Sequence, residues 1–580
     1  MFVFIKLTAR NTGRPGLSEL SVPISAKTLF SGGTVWLGRG EAEVTAVLVS
    51  EGRITAVGDA ALELVHQNQM SPTPEEINVV DLDGGFLMPA FGEGHAHPVF
   101  GGLEDCGPNV RACTRVAEIV AEVRRYAEAN PQDEWILGAS YDGSLTPGGL
   151  FDARWLDEAV PDRPVMLRAW DYHTVWCNSL ALERAGIDAN TPQPELGDIP
   201  RRADGSPLGI LREWGAIELV MAASPGHSLD ERVEALRRAT KHYAELGVTW
   251  VQDAWVEPAD VEVYLEAARR GALSTRVNLA LLADPRHFPE SLPVMIEARA
   301  RVERLGHPRL TSHSVKFFAD GVVENETGAL LEPYCSGLHE HGMLVWTAKH
   351  LAESVAAVEA AGFQPHIHAI GDAAVRRALE AIEYARKVHG PADRRPVIAH
   401  VQIAAASDLA RFQQLDVIAV MQPLWAQMDA LMSVLTVPRL GLERTDRQYQ
   451  MRTLTESGAT LAFGSDWPCS SASPLEGIGV AVSRATLDGE PAGGWTPEQR
   501  LDPETALAAY TSGVASQAGA EQTDAPWGVI QVGASADLVW LATDPRKTSP
   551  AELPAIKIRA TYLAGSPTFK AAKFLDRITR

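Results

Sequence analysis

Eight short apolar runs, separated by stretches with the 3.6-residue period of amphipathic helices, occupy the centre of this 580-residue chain. The first begins near Phe86 and ends at His95 and His97 in FLMPAFGEGHAHP. The others are GVTWVQDAW (247–255), TRVNLALLA (275–283), HSVKFFADG (313–321), FQPHIHAIGD (363–372), RPVIAHVQ (395–402), VIAVMQPLW (417–425) and ATLAFGSDWP (459–468). Helix patterns such as those of residues 230–246 and 371–388 lie between them. Such alternation calls for a parallel sheet of βα units. Eight units predict an α/β fold built as a closed (β/α)8 TIM-type barrel, with chemistry at the C-terminal ends of the strands. An open, doubly wound sheet is the competing arrangement.

Both flanks read differently. Residues 1–25 form a polar extension with Gly and Pro. Residues 26–90 and 510–580 carry short β-type runs broken by turns, including a hairpin at Ser50–Gly52. They predict one small β-sandwich domain made from both chain ends, with the barrel over 91–509. Residues 101–240 form an insertion between the first two barrel strands, too long for a plain connection. With a strand-like PVMLRAWD and helix-like stretches around Arg111–Ala129, it is placed to form a lid or substrate wall.

The formal charge of −22 disfavours nucleic acid or an anionic membrane as partner. Five scattered cysteines without a C-x-x-C pair argue against a disulfide framework. The N-terminal apolar stretch is too short for a signal peptide, and no run approaches the roughly 20 apolar residues of a membrane span. A cytoplasmic enzyme acting on a small molecule is expected, with a homodimer as the default assembly.

Positions i and i+2 of a strand share a face, so His95 and His97 point to one place, where two imidazoles suit a transition metal such as zinc. Lys316 stands on the fourth run, where a buried ammonium must be paired or chemically altered; carbamylation by carbon dioxide would make it a bridging carboxylate. His368, His400 and Asp466 close the fifth, sixth and eighth runs. His366 shares a side with His368 one layer further in, and is expected to pack or hydrogen-bond below the site.

HAH, VKFFADG, HAIGD, HVQ and GSDWP, in this order at strand ends, resemble the amidohydrolase superfamily. The insertion motif LDEAVPDRPVMLRAWDYHTVWCNSLALERAGI and the closing VGASADLVWL are similar to its family 3 branch, which contains N-substituted formamide deformylase. The resemblance implies two divalent metals, zinc first among zinc, manganese, iron and cobalt. His95, His97 and Asp466 would hold one, His368 and His400 the other, and carbamylated Lys316 and a hydroxide would bridge them. Glu93 and Gly94 depart from the family's usual Asp-Ser or Asp-Ala before the histidine pair.

The implied activity is hydrolysis of an amide-type C–N bond, as in an N-substituted formamide or N-acyl amine, with Asp466 as proton carrier. Lactone, carbamate or organophosphate ester hydrolysis is the alternative, deamination is disfavoured by the strand lysine, and a non-catalytic barrel by the full ligand set. His173 is a second catalytic candidate, for the carbonyl oxygen or oxyanion, against a structural role in an aromatic-rich element. Asn178 and Glu213 are weaker candidates. Trp170, Trp176, Trp214, Trp255 and Trp425 could line an apolar pocket or simply fill core, and Asp320 and Asp372 could only cap or turn the backbone.

Overall fold

The computed structural model describes residues 27–336 and 340–572, so the expected extension 1–25 lies outside the described residues. Eight parallel strands stand side by side in chain order: Phe91–Ala96, Val248–Val256, Arg276–Leu282, Leu310–Phe318, Gln364–Ala369, Val397–His400, Ile418–Met421 and Thr460–Phe463. Covered on both faces, they read as near-continuous apolar runs; all but one residue of Val248–Val256 is buried. The circle closes at its C-terminal mouth, where the chain continues past Phe463. Asp466 N–H donates to the His95 carbonyl and His97 N–H to the Trp467 carbonyl, each at 2.8 Å. The seam of the barrel is therefore drawn shut by three of the predicted ligand residues.

The run beginning at Phe86 is two strands. Phe86–Pro89 belongs to a terminal sheet, pairing antiparallel with Leu538–Leu541, and Phe91–Ala96 belongs to the barrel. That sheet runs Ser566–Lys570, Ile558–Leu563, Leu538–Leu541, Phe86–Pro89, Lys27–Val35, Val44–Ser50 and Arg53–Val57, with Ile77–Asp81 also on Lys27–Val35. Both chain ends thus build it, as one continuous eight-stranded sheet. The Val44–Ser50/Arg53–Val57 hairpin turns at Glu51 (φ 52°) and Gly52 (φ 75°), the left-handed pair of a type I′ turn.

Two expected boundaries move. Residues 510–527 pack under the barrel: Val514, Ala515 and Trp527 form an apolar floor with Trp250, Val397, Ile418, Val420 and Ala462. The insertion also ends before residue 240, because helix Leu229–Glu245 packs Val233, Leu236 and Tyr243 into one core with Phe91, Val248 and Val251 of the barrel strands. A capping box at Ser228 and Glu231 starts this helix. Within the insertion a four-stranded sheet, ordered Ile210–Arg212, Thr174–Cys177, Val165–Ala169 and Ile136–Tyr141, packs on helix Val116–Ala129 around Tyr141, Phe151 and Trp176. The five cysteines are free. No helix among the described residues is long and apolar enough to cross a membrane.

Candidate metal centre

His95, His97, Lys316, His368, His400 and Asp466 are all buried and line one pocket at the barrel mouth. His95, His97 and Asp466 bring ligand atoms within 4.8 Å of one another. His97 Nε2 is 3.0 Å and His95 Nε2 3.8 Å from Asp466 Oδ1, and Lys316 Nζ is 3.4 Å from His95 Nε2. The His368 and His400 rings lie 4.5 Å apart, and His400 Nδ1 is 3.9 Å from Asp466 Oδ2. All six predicted ligands therefore come together.

Burial sets the charge states. It drives His95 and His368 far below the usual imidazole value, helped by Lys316 beside the first and His400 beside the second. It lowers His97 and takes His400 to about 3. The Lys316 ammonium is pulled down to about 7 by the same desolvation, against the attraction of Asp466. Near neutrality much of this amine is unprotonated, the form able to add carbon dioxide. For Asp466 burial pushes the pKa up, but the hydrogen bond with His97, first among the opposing effects, helps hold the carboxyl below its usual value and ionised.

Neutral imidazoles around an ionised carboxylate are the donor set a divalent cation requires. The fit is sharpened by atoms left over: His400 Nε2 and Asp466 Oδ1 are buried without a well-formed hydrogen bond. Neighbours aim the ligands. His366 Nε2, one layer down as expected, lies 2.8 Å from His95 Nδ1, which leaves Nε2 of His95 facing the site. Gln422 Oε1 is 2.9 Å from His400 Nδ1, and Trp425 stacks on the His400 ring at 5.5 Å. His368 Nε2 lies 3.0 Å from the Gly321 carbonyl.

Glu93, the departure from the family pattern, is fully buried and ties the seam together. Its carboxyl accepts the Ser465 N–H and hydroxyl, both at 2.7 Å, and the His95 N–H at 3.2 Å. Burial pushes it up to about 8 despite these bonds.

The insertion delivers His173 to the same pocket, its ring 5.5 Å from that of His368. Glu213 Oε2 is 2.7 Å from His173 Nδ1, while Glu213 Oε1 accepts the Thr327 hydroxyl at 2.5 Å. Burial favours the neutral imidazole, but Glu213 and then Asp171 prevail and push His173 up to about 9, so it is cationic at neutral pH. Asn178 stays out of the site: it caps helix Ser179–Arg184 and holds Val165 N–H, a structural role. Asp320 accepts three backbone N–H groups and Asp372 one, as turn-forming residues do. Of the tryptophans, Trp255 lines the inner pocket and Trp170 and Trp425 an adjoining cavity, whereas Trp176 is insertion core and Trp214 packs by Phe318. Asp171 and Cys469, which line both spaces, carry no motif that singles them out.

Comparison with known proteins agrees with this geometry. The Amidohydrolase family model matches residues 78–569. Protein LONG AFTER FAR-RED 3 of Arabidopsis thaliana is 30% identical over 571 residues, covering 95% of this chain and 94% of the relative. N-substituted formamide deformylase of Arthrobacter pascens is 27% identical, covering 90% and 94%. A crystal structure of an uncharacterized metal-dependent hydrolase from Pyrococcus furiosus superposes with a TM-score of 0.67 at 26% identity, over 90% of this chain and 100% of that one. With a family match spanning the barrel and part of the terminal sheet, the chain belongs to the Amidohydrolase family.

Proposed function

We propose that the protein is a metal-dependent hydrolase cleaving the C–N bond of an amide, such as an N-substituted formamide or N-acyl amine. Two divalent cations, zinc first among them, would be held by His95, His97, His368, His400, Asp466 and Lys316 as its carbamate. The observation that carries the reading is the convergence of these six buried side chains, with neutral imidazoles and an ionised Asp466, at one barrel mouth. The names of the Arthrobacter and Pyrococcus relatives support it. A cytoplasmic location and a homodimer complete the proposal.

Bound cations of this kind lower the pKa of water and polarise a carbonyl. Asp466, ionised and beside His97, would take a proton from the attacking water and pass it to the departing amine nitrogen, which leaves poorly unprotonated. His173, kept cationic by Glu213, can donate its Nε2–H to the carbonyl oxygen as negative charge develops there. Phe100, Trp255 and Phe318 line the pocket and limit the water that reaches it.

The test is metal analysis joined to a substrate panel. Purified protein should carry close to two equivalents of metal and hydrolyse formamides or N-acyl amines, lose that activity to a chelator and regain it with zinc. Faster turnover of lactones, carbamates or phosphate esters than of any amide would replace this reading with ester hydrolysis. A metal-free protein inert after loading would end it.

A further inference from the structure

The inner pocket adjoins an outer cavity of about 260 Å3, and the two share Asp171, His173, His368, His400, Asp466 and Cys469. Glu324 and Asp429 stand on the wall of the outer cavity but not on that of the inner pocket. Glu324 Oε1 accepts the Thr436 hydroxyl at 2.5 Å and Asp429 Oδ1 the Met432 N–H at 2.8 Å. Neither carboxylate has an ion-pair partner within 4 Å among the described residues; Arg439, which attracts Glu324 from further off, is itself held 3.4 Å from Glu326. The cationic groups on the same wall are already engaged. Arg111 grips Glu104 at 3.0 and 2.6 Å, and His173 is held by Glu213.

The rest of the outer wall is largely apolar and aromatic, with Trp170, Trp425 and Tyr449 contributing rings. A carboxylate facing such a space without a counter-ion is costly, and two near one another more so. Burial, and then repulsion from Glu324, raises the pKa of Asp429. One further polar atom on this wall lacks a partner, the indole Nε1 of Trp170. The cavity is thus set up for a polar guest, and the sign of its uncompensated charge says which kind. A protonated nitrogen would neutralise the carboxylates and lie against aromatic faces that attract cations. The chain's formal charge of −22 favours the approach of such a guest.

We infer that the outer cavity is a cation subsite: the substrate is an amide carrying an ammonium or guanidinium group remote from the scissile bond, received by Glu324 and Asp429. This rests on the amide-hydrolase reading for the word substrate, and on the cavity alone for the cation.

Two isosteric pairs separate the possibilities with metal-loaded enzyme. N-(5-aminopentyl)formamide is set against N-hexylformamide, and 6-amino-N-methylhexanamide against N-methylheptanamide. In one pair the charged member should show at least a tenfold higher kcat/KM, mainly through KM; which pair does so tells whether the cation sits on the amine or the acyl side. In the Glu324→Gln/Asp429→Asn double variant that ratio should fall towards one. Neutral members equal to or better than their partners in both pairs, or a ratio that survives the double substitution, overturns the inference. Titration calorimetry with pentylguanidinium provides a readout free of turnover: the native protein should bind it at least tenfold more tightly than the double variant. If no amide is hydrolysed but this binding depends on the two carboxylates, the hydrolase reading fails and the cation subsite stands. Equal binding to both proteins, or none, overturns the subsite itself.

Discussion

Lys316 is a fully buried amine whose ammonium form has been made expensive, 3.4 Å from a histidine that is itself kept neutral. The proposed carbamate would reverse that charge. Lys316→Ala should lower kcat by about a thousandfold or more and reduce bound metal, with circular dichroism unchanged. Asp466→Asn should lower kcat comparably; near-normal rates with metal bound in both variants would remove these residues from the mechanism. Glu213→Gln keeps a hydrogen-bond acceptor for His173 but removes the charge that holds it cationic. Its kcat should fall roughly 10- to 100-fold with KM little changed, and Glu213→Asp should recover part of the loss. A purely structural Glu213 would instead lower the melting temperature and leave kcat of the folded fraction intact. The six proposed ligands could be singled out as candidates because each ends, or nearly ends, an apolar run, where a polar side chain has to be explained. The His173–Glu213 pair was not legible, since its members are 40 residues apart in an insertion whose pairing no periodicity announces.

At the scale of elements, the barrel depends on one side chain at its closing seam. Glu93→Ala would leave the Ser465 N–H and hydroxyl and the His95 N–H without their acceptor in the interior. Roughly 2–4 kcal/mol should be lost in denaturant unfolding, together with metal content. Glu93→Gln, which still offers an acceptor oxygen, should lose less. Ser228→Ala removes the capping box of helix Leu229–Glu245 on an exposed turn. About 1 kcal/mol of stability should go, with kcat unaffected, as a control that weakening an element does not by itself impair chemistry. All eight barrel strands could be read from their uniform burial, which leaves long apolar signatures. Where the first of them begins could not, because Phe86–Met88 and Phe91 are equally apolar although a sheet boundary falls at Ala90. The insertion's strands, of three to six residues, are too short for alternation to speak.

At the scale of the whole molecule, bound cations should act as part of the fold, since they would satisfy atoms such as His400 Nε2 that the protein leaves unpaired. Chelation should therefore lower the melting temperature by several degrees, and added zinc should restore it. An unchanged transition would mean that the centre forms no stabilising complex. That both chain ends share one sheet was visible in their like composition. The role of residues 510–527 as the barrel's floor was not, because nothing in this stretch separates it from the β-type runs that follow until Val514 and Ala515 are seen packed with Trp250.

The seam has a last consequence, for biosynthesis. His95 and Asp466 are hydrogen-bonded to each other through the backbone, yet they leave the ribosome some 370 residues apart, as do Glu93 and Ser465. A nascent chain must reach Asp466 before these residues can meet. On the proposed reading the centre is complete only with the final stave of the barrel, so a polypeptide cut short of Asp466 should be inert.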